Sequence, residues 1–181
     1  NSIADYFIND SYGIDPQDFE DEYYNTLNRL AYDTYLIDAD PVNNNPFQYW
    51  SHVGIVSPTA LPRSRQAETI ETTGVQNQWS LSYGGNFSDK VFFGGSFQIR
   101  SIRYRNKKTY TEADYYFETA PDFNPVDYFR LQEDLQIIGS GFSGTLGAIV
   151  RPIDGWQIGI SYNTPTSYFL RDTYNASAVA D

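Results

Sequence analysis

The fold of this chain is decided by Gly141-Phe-Ser-Gly-Thr-Leu-Gly-Ala-Ile-Val150, the turn Arg151-Pro-Ile-Asp-Gly155 and Trp156-Gln-Ile-Gly-Ile-Ser-Tyr-Asn163. After the turn, every second residue from Trp156 to Tyr162 is apolar, and the residues between them are small or polar. This period of two predicts a β-hairpin whose strands have one apolar face and one polar face. A soluble sandwich would bury the apolar face against a second sheet, whereas a membrane β-barrel would expose it to lipid. The hairpin alone leaves both architectures open.

A second hairpin is predicted earlier in the chain, where the alternating segments 75–84 and 93–100 flank a short turn at 86–90. The connection within each hairpin is short, whereas residues 105–128 form a long connection between the two hairpins. Outer-membrane barrels combine short turns at one end with long loops at the other, and their strands cross the membrane with about 9–11 residues. The connections, the glycines within the strands and the uncharged apolar faces favour a barrel wall over a sandwich.

Composition excludes several functional classes. The chain has 181 residues and a net charge of −11, which argues against nucleic-acid binding because phosphate contacts require clustered Lys and Arg. It has no Cys, and His52 is its only His, so neither a His-based triad nor a multi-His zinc site can be built. No apolar run is long enough for a membrane helix. We therefore expect no enzyme activity, no cofactor and no metal site.

The pattern divides the chain into five segments. They are an extracellular loop region at 1–66 with a helix at about 16–36, a β-hairpin of a barrel wall at 67–104, an extracellular loop at 105–128, a second wall hairpin at 129–170, and the start of another extracellular loop at 171–181. The helix is predicted because Asp15 can cap it, Pro16 suits its first position, and apolar residues then recur at helical spacing. The expected fold class is all-β, with an antiparallel sheet of about four spanning strands.

The stretch Gly139–Pro165 resembles the FadL/TodX family of outer-membrane transporters for hydrophobic compounds. The shared features are a glycine-rich strand containing Leu-Gly-Ala, a short turn with Pro152, and a strand that ends in Tyr162-Asn-Thr-Pro165. Shorter stretches resemble the branch of this family found in Bacteroidota. They are Ser2-Ile-Ala-Asp-Tyr-Phe7, Ala31-Tyr-Asp-Thr-Tyr-Leu-Ile37, and Ser101-Ile-Arg-Tyr-Arg105 followed by Thr109-Tyr-Thr-Glu112.

The resemblance implies a 14-stranded transmembrane barrel in the bacterial outer membrane, plugged by an N-terminal hatch. It also implies passive transport of long-chain fatty acids or other hydrophobic compounds, which first bind in a groove formed by extracellular loops. About four strands cannot close a barrel, and no hatch is visible, so we expect this chain to be a central section of a longer protein. Two other functions stay open: a FadL-like barrel that acts as a protein-binding scaffold in secretion or in an outer-membrane complex, and a surface β domain with an adhesive role.

Aromatic residues in the expected loops are the candidate ligand-binding residues, because a hydrophobic ligand needs a concave apolar lining. They are Phe47, Tyr49, Trp50, Tyr115, Tyr116, Phe117, Phe123, Tyr128 and Phe129. The alternative is that these side chains pack the loops together. Arg100 falls on the expected polar face, where it could pair with a carboxylate or line the path of a ligand. The expected partners are a hydrophobic small molecule, outer-membrane lipid and lipopolysaccharide, and a protein at the extracellular loops.

Overall fold

The computed structural model describes residues 2–21, 26–40, 47–51, 64–115 and 126–181. Its elements are α1 (Ile3–Ser11), a 3-10 turn (Pro16–Glu20), α2 (Leu27–Asp33), β1 (Ile37–Ala39), β2 (Tyr49–Ser51), β3 (Arg65–Phe87), β4 (Val91–Ala113), β5 (Tyr128–Val150), β6 (Ile158–Asn163) and β7 (Ser167–Ala180). The chain is therefore mostly antiparallel β-sheet with few helices, as the alternating pattern predicts. None of the helices in the described ranges is both long and apolar enough to cross a membrane.

The chain forms two compact units. The first unit comprises 1–71, 107–134 and 175–181, and the second unit comprises 72–106 and 135–174. The large sheet has the order β3-β4-β5-β6, with β7 also paired to β5, and β1 and β2 form a separate two-stranded sheet. The antiparallel register of β5 and β6 runs from Thr145 opposite Asn163 to Val150 opposite Ile158. The hairpin predicted from 141–163 is thereby confirmed.

The first unit contains a hydrophobic core built largely from aromatic rings. Phe7 of α1, Phe19 of the 3-10 turn and Phe129 of β5 are almost completely buried in it. The rings of Phe7 and Phe129 meet edge to face with 6.4 Å between centroids, and Phe19 stacks on Tyr32 at 5.0 Å. Because large aromatic side chains bury the most apolar surface, these contacts hold the short helices against the strands.

The helical part of the first unit differs from the single helix predicted over 16–36. Pro16–Glu20 forms only a 3-10 turn, capped by the Asp15 side chain, and the backbone is extended again at Asp21. A separate helix, α2, begins after Thr26, whose hydroxyl accepts from the Arg29 N–H. Phe19, Leu27 and Leu30 pack into one core, although they do not lie on one helix. The helix α1 is absent from the prediction, although Ser2 and Asp5 form its capping box.

The strands extend further than the apolar alternation indicates. The strand β4 continues to Ala113, and β7 runs to Ala180, so strand occupies much of the segments predicted as loops at 105–128 and 171–181. In β4, exposed and less exposed residues still alternate beyond Ile99, but the exposed residues are then mostly charged. Hydrophobicity alone therefore cannot show where these strands end. At the other end of the hairpin, β6 begins at Ile158, and Trp156 belongs to the turn.

Candidate functional site: two faces of the sheet in the second unit

One face of the sheet in the second unit is apolar and exposed. This apolar face consists of Trp79, Leu81, Tyr83, Phe93, Phe97, Ile99, Phe142, Leu146, Val150, Ile158, Ile160, Tyr162 and Phe169. The register of β5 and β6 places Leu146 opposite Tyr162, so the two side chains project from the same face. The side chains of the apolar face are between 42% and 79% exposed. Nothing in the described part of the second unit covers them.

The opposite face is polar, and its side chains bond to one another. This polar face consists of Gln78, Ser80, Ser96, Gln98, Arg100, Ser143, Thr145, Asn163 and Thr166. The Gln98 amide donates to Ser96 Oγ at 2.6 Å and accepts from Ser143 Oγ at 2.9 Å. The Thr145 hydroxyl donates to Asn163 Oδ1 at 2.7 Å. These bonds link neighbouring strands across the polar face.

Arg100 lies at the centre of the polar network. Its Nε donates to Gln78 Oε1 at 2.7 Å, and its Nη1 donates to Ser143 Oγ at 2.7 Å and to Thr166 Oγ1 at 2.6 Å. All three acceptors are neutral, and none of the ion pairs among the described residues includes Arg100. The neighbours therefore fix the position of the guanidinium while its positive charge stays uncompensated, which suits it to contact an anionic group.

Burial in the second unit is the reverse of burial in a soluble sheet. Within the described ranges, every buried hydrophobic side chain belongs to the first unit. The buried residues of the second unit are Gly141 and Ser143, and both lie on the polar side of β5. An antiparallel sheet in water buries its apolar face and exposes its polar face. In the second unit the apolar face is exposed instead, whereas Gln98, Arg100 and Thr145 of the polar face are half-buried.

A concavity of about 610 Å³ opens within the second unit. Its lining includes the small residues Gly94, Gly147 and Gly159 and the apolar side chains of Phe92 and Ile149. A Cβ added at Gly147 would lie 3.6 Å from its nearest neighbour, so a side chain fits at this position without a clash at its first carbon and would occupy part of the concavity. The volume and the lining fit a small hydrophobic ligand.

The structure separates the aromatic candidates of the first unit. Tyr49 and Phe129 are buried, and the Tyr49 hydroxyl donates to the Ile14 carbonyl oxygen at 2.9 Å. Both side chains pack chain segments together, which is the alternative raised from the sequence, and they offer a ligand no surface. Phe47 is exposed, whereas Trp50 is half-buried and donates its indole N–H to the Ala39 carbonyl oxygen at 3.1 Å.

The remaining aromatic candidates lie outside the lining of the concavity in the second unit. Tyr128 is half-buried, and the Arg130 guanidinium carbon lies 5.1 Å from the centroid of its ring. Tyr115 is also half-buried. Tyr116, Phe117 and Phe123 lie outside the described residues. The ligand groove predicted in the loops therefore stays a prediction, and the concavity of the second unit is a separate candidate.

Sequence reasoning missed Glu112, a completely buried residue of β4 that binds the start of α1. Its Oε2 accepts from the Ile3 backbone N–H at 2.9 Å, from the Ser2 hydroxyl at 3.1 Å and from the Tyr110 hydroxyl at 3.2 Å. The positive end of the helix dipole also favours a carboxylate here. Ser2 and Ile3 are more than a hundred residues away in the chain, so no local pattern indicates the contact.

The second carboxylate oxygen of Glu112 is also fully bonded. Its Oε1 accepts from the Ser64 hydroxyl at 2.5 Å and from the Gln66 amide at 3.1 Å. Burial, and then the Glu112 charge, raise the pKa of Tyr110 well above 10. Burial and the same charge also raise the pKa of Tyr115. The cluster therefore holds one carboxylate among neutral donors, which is how a buried charge is tolerated.

Comparison with models of protein families finds no match for this chain, and a search of curated proteins finds no match either.

Proposed function

We propose that this chain is a wall section of an outer-membrane β-barrel that passively transports long-chain fatty acids or other hydrophobic compounds, as the resemblance to the FadL/TodX family implies. The observation that carries the proposal is the reversed burial of the second unit. Its apolar face is exposed, while its polar face holds the hydrogen-bond network around Arg100. A barrel wall has this arrangement, because its outer face contacts lipid and its inner face contacts a polar lumen.

The size of the apolar face supports lipid contact over water contact. Each large apolar side chain gains about 1.5–3 kcal/mol when it leaves water. The residues of the apolar face are roughly half to three-quarters exposed, so covering them all would be worth on the order of 15 kcal/mol. That value is as large as the whole stability of a typical domain. The apolar face therefore needs a contact that excludes water, and the hydrocarbon of a membrane would supply it without a second sheet.

The concavity beside Phe92, Gly147 and Ile149 is the candidate position for a hydrophobic ligand in this barrel. Passive transport needs no energy source, because binding of the ligand and a downhill concentration gradient suffice. Arg100 lies on the polar face, where its uncompensated charge can attract the carboxylate end of a fatty acid.

A matched pair of glycine variants tests the ligand position. Gly147→Leu adds a side chain that fills the concavity, whereas Gly144→Leu adds the same side chain to the apolar face, at a glycine outside the lining. The Cβ fits at both positions, with nearest neighbours at 3.6 Å and 3.5 Å. We expect Gly147→Leu to lower the uptake of a labelled long-chain fatty acid in cells that lack the native gene, and Gly144→Leu to preserve it. Equal uptake by both variants and the native protein would count against this ligand position.

Membrane location is tested separately from transport. We expect the full-length protein to need detergent for extraction and to change its gel migration when it is boiled, as folded outer-membrane barrels do. Extraction in plain buffer would contradict the barrel and favour the adhesive surface domain. Membrane location with unchanged fatty-acid uptake in a deletion strain would instead reject transport and leave the scaffold function.

A further inference from the structure

Along β4, the residues on the same side of the sheet as the apolar face change from apolar to charged. From Phe93 to Ile99, the residues that share the apolar face are apolar or glycine. After Ser101 the next exposed position is Arg103, and the less exposed residues between these positions belong to the other face. A cation therefore follows directly at the end of the apolar face, within the same unit.

A second arginine lies at the same level on β7. The backbone of β7 at Phe169 and Leu170 contacts Gly139 of β5, and the ring of Phe169 stacks on Phe142. Continuing this pairing by one residue places Arg171 opposite Ile138 of β5. Arg171 is exposed, and alternation along β7 gives it the same face as Phe169.

The two arginines flank one apolar residue. On the other side of β5, Gln98 of β4 contacts Ser143, and extending that pairing brings Arg103 opposite Ile138. Neighbouring strands are about 4.8 Å apart, so the backbones of Arg103 and Arg171 are separated by roughly 10 Å across Ile138. Two arginine side chains at that separation can reach one phosphate group from both sides. Neither arginine takes part in an ion pair with another described residue.

The charge around this site is positive although the chain is acidic. The second unit contains six basic residues and three aspartates, and so has a net charge of +3, whereas the whole chain carries −11. The basic residues are Lys90, Arg100, Arg103, Arg105, Arg151 and Arg171. None of them belongs to the apolar face. Cations next to an apolar surface match an amphiphile that has an anionic head and a hydrocarbon tail.

We propose that Arg103 and Arg171 bind the phosphate of an anionic lipid whose acyl chains cover the apolar face below them. The proposal rests on the membrane location in the proposed function and adds the headgroup class and the residues that select it. The apolar surface at Ile138 and Phe142 favours a lipid over free phosphate, because only a lipid occupies both surfaces. A nucleic acid is disfavoured because its phosphates would meet the net charge of −11 without an extended basic surface.

The test compares two lipids that differ only in the headgroup. The full-length protein in a neutral detergent is titrated with dioctanoyl phosphatidylglycerol or dioctanoyl phosphatidylcholine, and retained lipid is counted by native mass spectrometry. We expect the native protein to prefer phosphatidylglycerol, and Arg103→Gln/Arg171→Gln to weaken that binding roughly 30-fold, since both surface cations are lost. The matched control is Arg29→Gln/Arg65→Gln, which removes two cations already paired with Asp33 and Asp114. It should keep the preference.

Each other outcome overturns the proposal. Equal binding of the two lipids by the native protein would show that the headgroup is not selected. An equal loss of phosphatidylglycerol binding in the control variant would show that only the net charge of the protein matters. Competition by inorganic phosphate as strong as that by phosphatidylglycerol would identify a phosphate site that does not require a lipid. Insertion into phosphatidylcholine vesicles is measured in parallel: failure to insert rejects the proposed function, whereas insertion without headgroup preference rejects only this inference.

Discussion

Replacing Glu112 should loosen α1 while it leaves the sheet intact. The carboxylate is completely buried and accepts five hydrogen bonds, three at Oε2 and two at Oε1. In Glu112→Gln, the single carbonyl oxygen is best placed at the Oε2 position, because the Ile3 backbone N–H cannot reverse its direction. The new amide group then faces Ser64 and Gln66, whose hydroxyl and amide can rotate to accept from it.

The expected loss of stability follows from the hydrogen bonds that change. Hydrogen bonds to a charged group contribute about 1.5–3 kcal/mol, and neutral bonds contribute about 0.5–1.5 kcal/mol. Three bonds therefore lose about 1 kcal/mol each, and the smaller cost of burying a neutral amide offsets part of this. We expect a net loss of about 2 kcal/mol for Glu112→Gln. In Glu112→Leu the Ile3 N–H has no acceptor at all, and we expect about 4 kcal/mol.

Amide hydrogen exchange of peptides covering Ile3–Ser11 measures this loss directly. Because 1.4 kcal/mol corresponds to a factor of ten, exchange should be roughly 30-fold faster in Glu112→Gln and faster still in Glu112→Leu. The control is Glu68→Gln, which makes the same chemical change at a partly exposed ion pair with Lys108. It should cost about 0.5 kcal/mol or less. Exchange in α1 that is no faster in Glu112→Gln than in Glu68→Gln would refute the role of Glu112.

Three further predictions concern the apolar face, the tyrosines and Arg100. Ile160→Arg should destabilise the membrane-inserted protein by about 2–4 kcal/mol, whereas Ser161→Arg on the other face should be tolerated; comparable folded yields of both variants in membrane fractions would contradict lipid contact. Burial raises the pKa values of Tyr110 and Tyr115 above 10, so the stability that they contribute is fully present below pH 10 and is lost as the pH rises beyond it. When both tyrosines are changed to Phe, alkaline unfolding monitored by circular dichroism should depend less steeply on pH. An unchanged pH profile would contradict this prediction. Arg100→Gln should weaken binding of a fatty acid roughly tenfold or more without affecting its methyl ester, and equal losses for both ligands in a fluorescence displacement assay would exclude a carboxylate contact.

The alternation of apolar and polar residues predicted the hairpins, because the residues of each strand alone distinguish its two faces. From Ile158 to Tyr162, the period of two is complete within five residues, and the structure has a strand there. The helix predicted at 16–36 failed for the opposite reason: Phe19 and Leu30 belong to one core, but the chain between them turns out of the helical conformation at Asp21. The role of Glu112 could not be predicted from the sequence, since four of its five donors come from two distant segments that only the folded chain brings together.

The distribution of charge on the apolar face also supports the proposed lipid contact. In a soluble sheet, charges are least costly at the most exposed positions, and they also prevent edge-to-edge association. Trp79 and Leu81 are nearly four-fifths exposed, yet the apolar face that contains them has no charged residue. Along β4, charge returns on the same face only after Ser101, beginning at Arg103. The proposed membrane location accounts for both observations, because hydrocarbon excludes charge and a headgroup layer accepts it. Ile160→Arg is therefore the substitution that separates water from lipid at this face most directly.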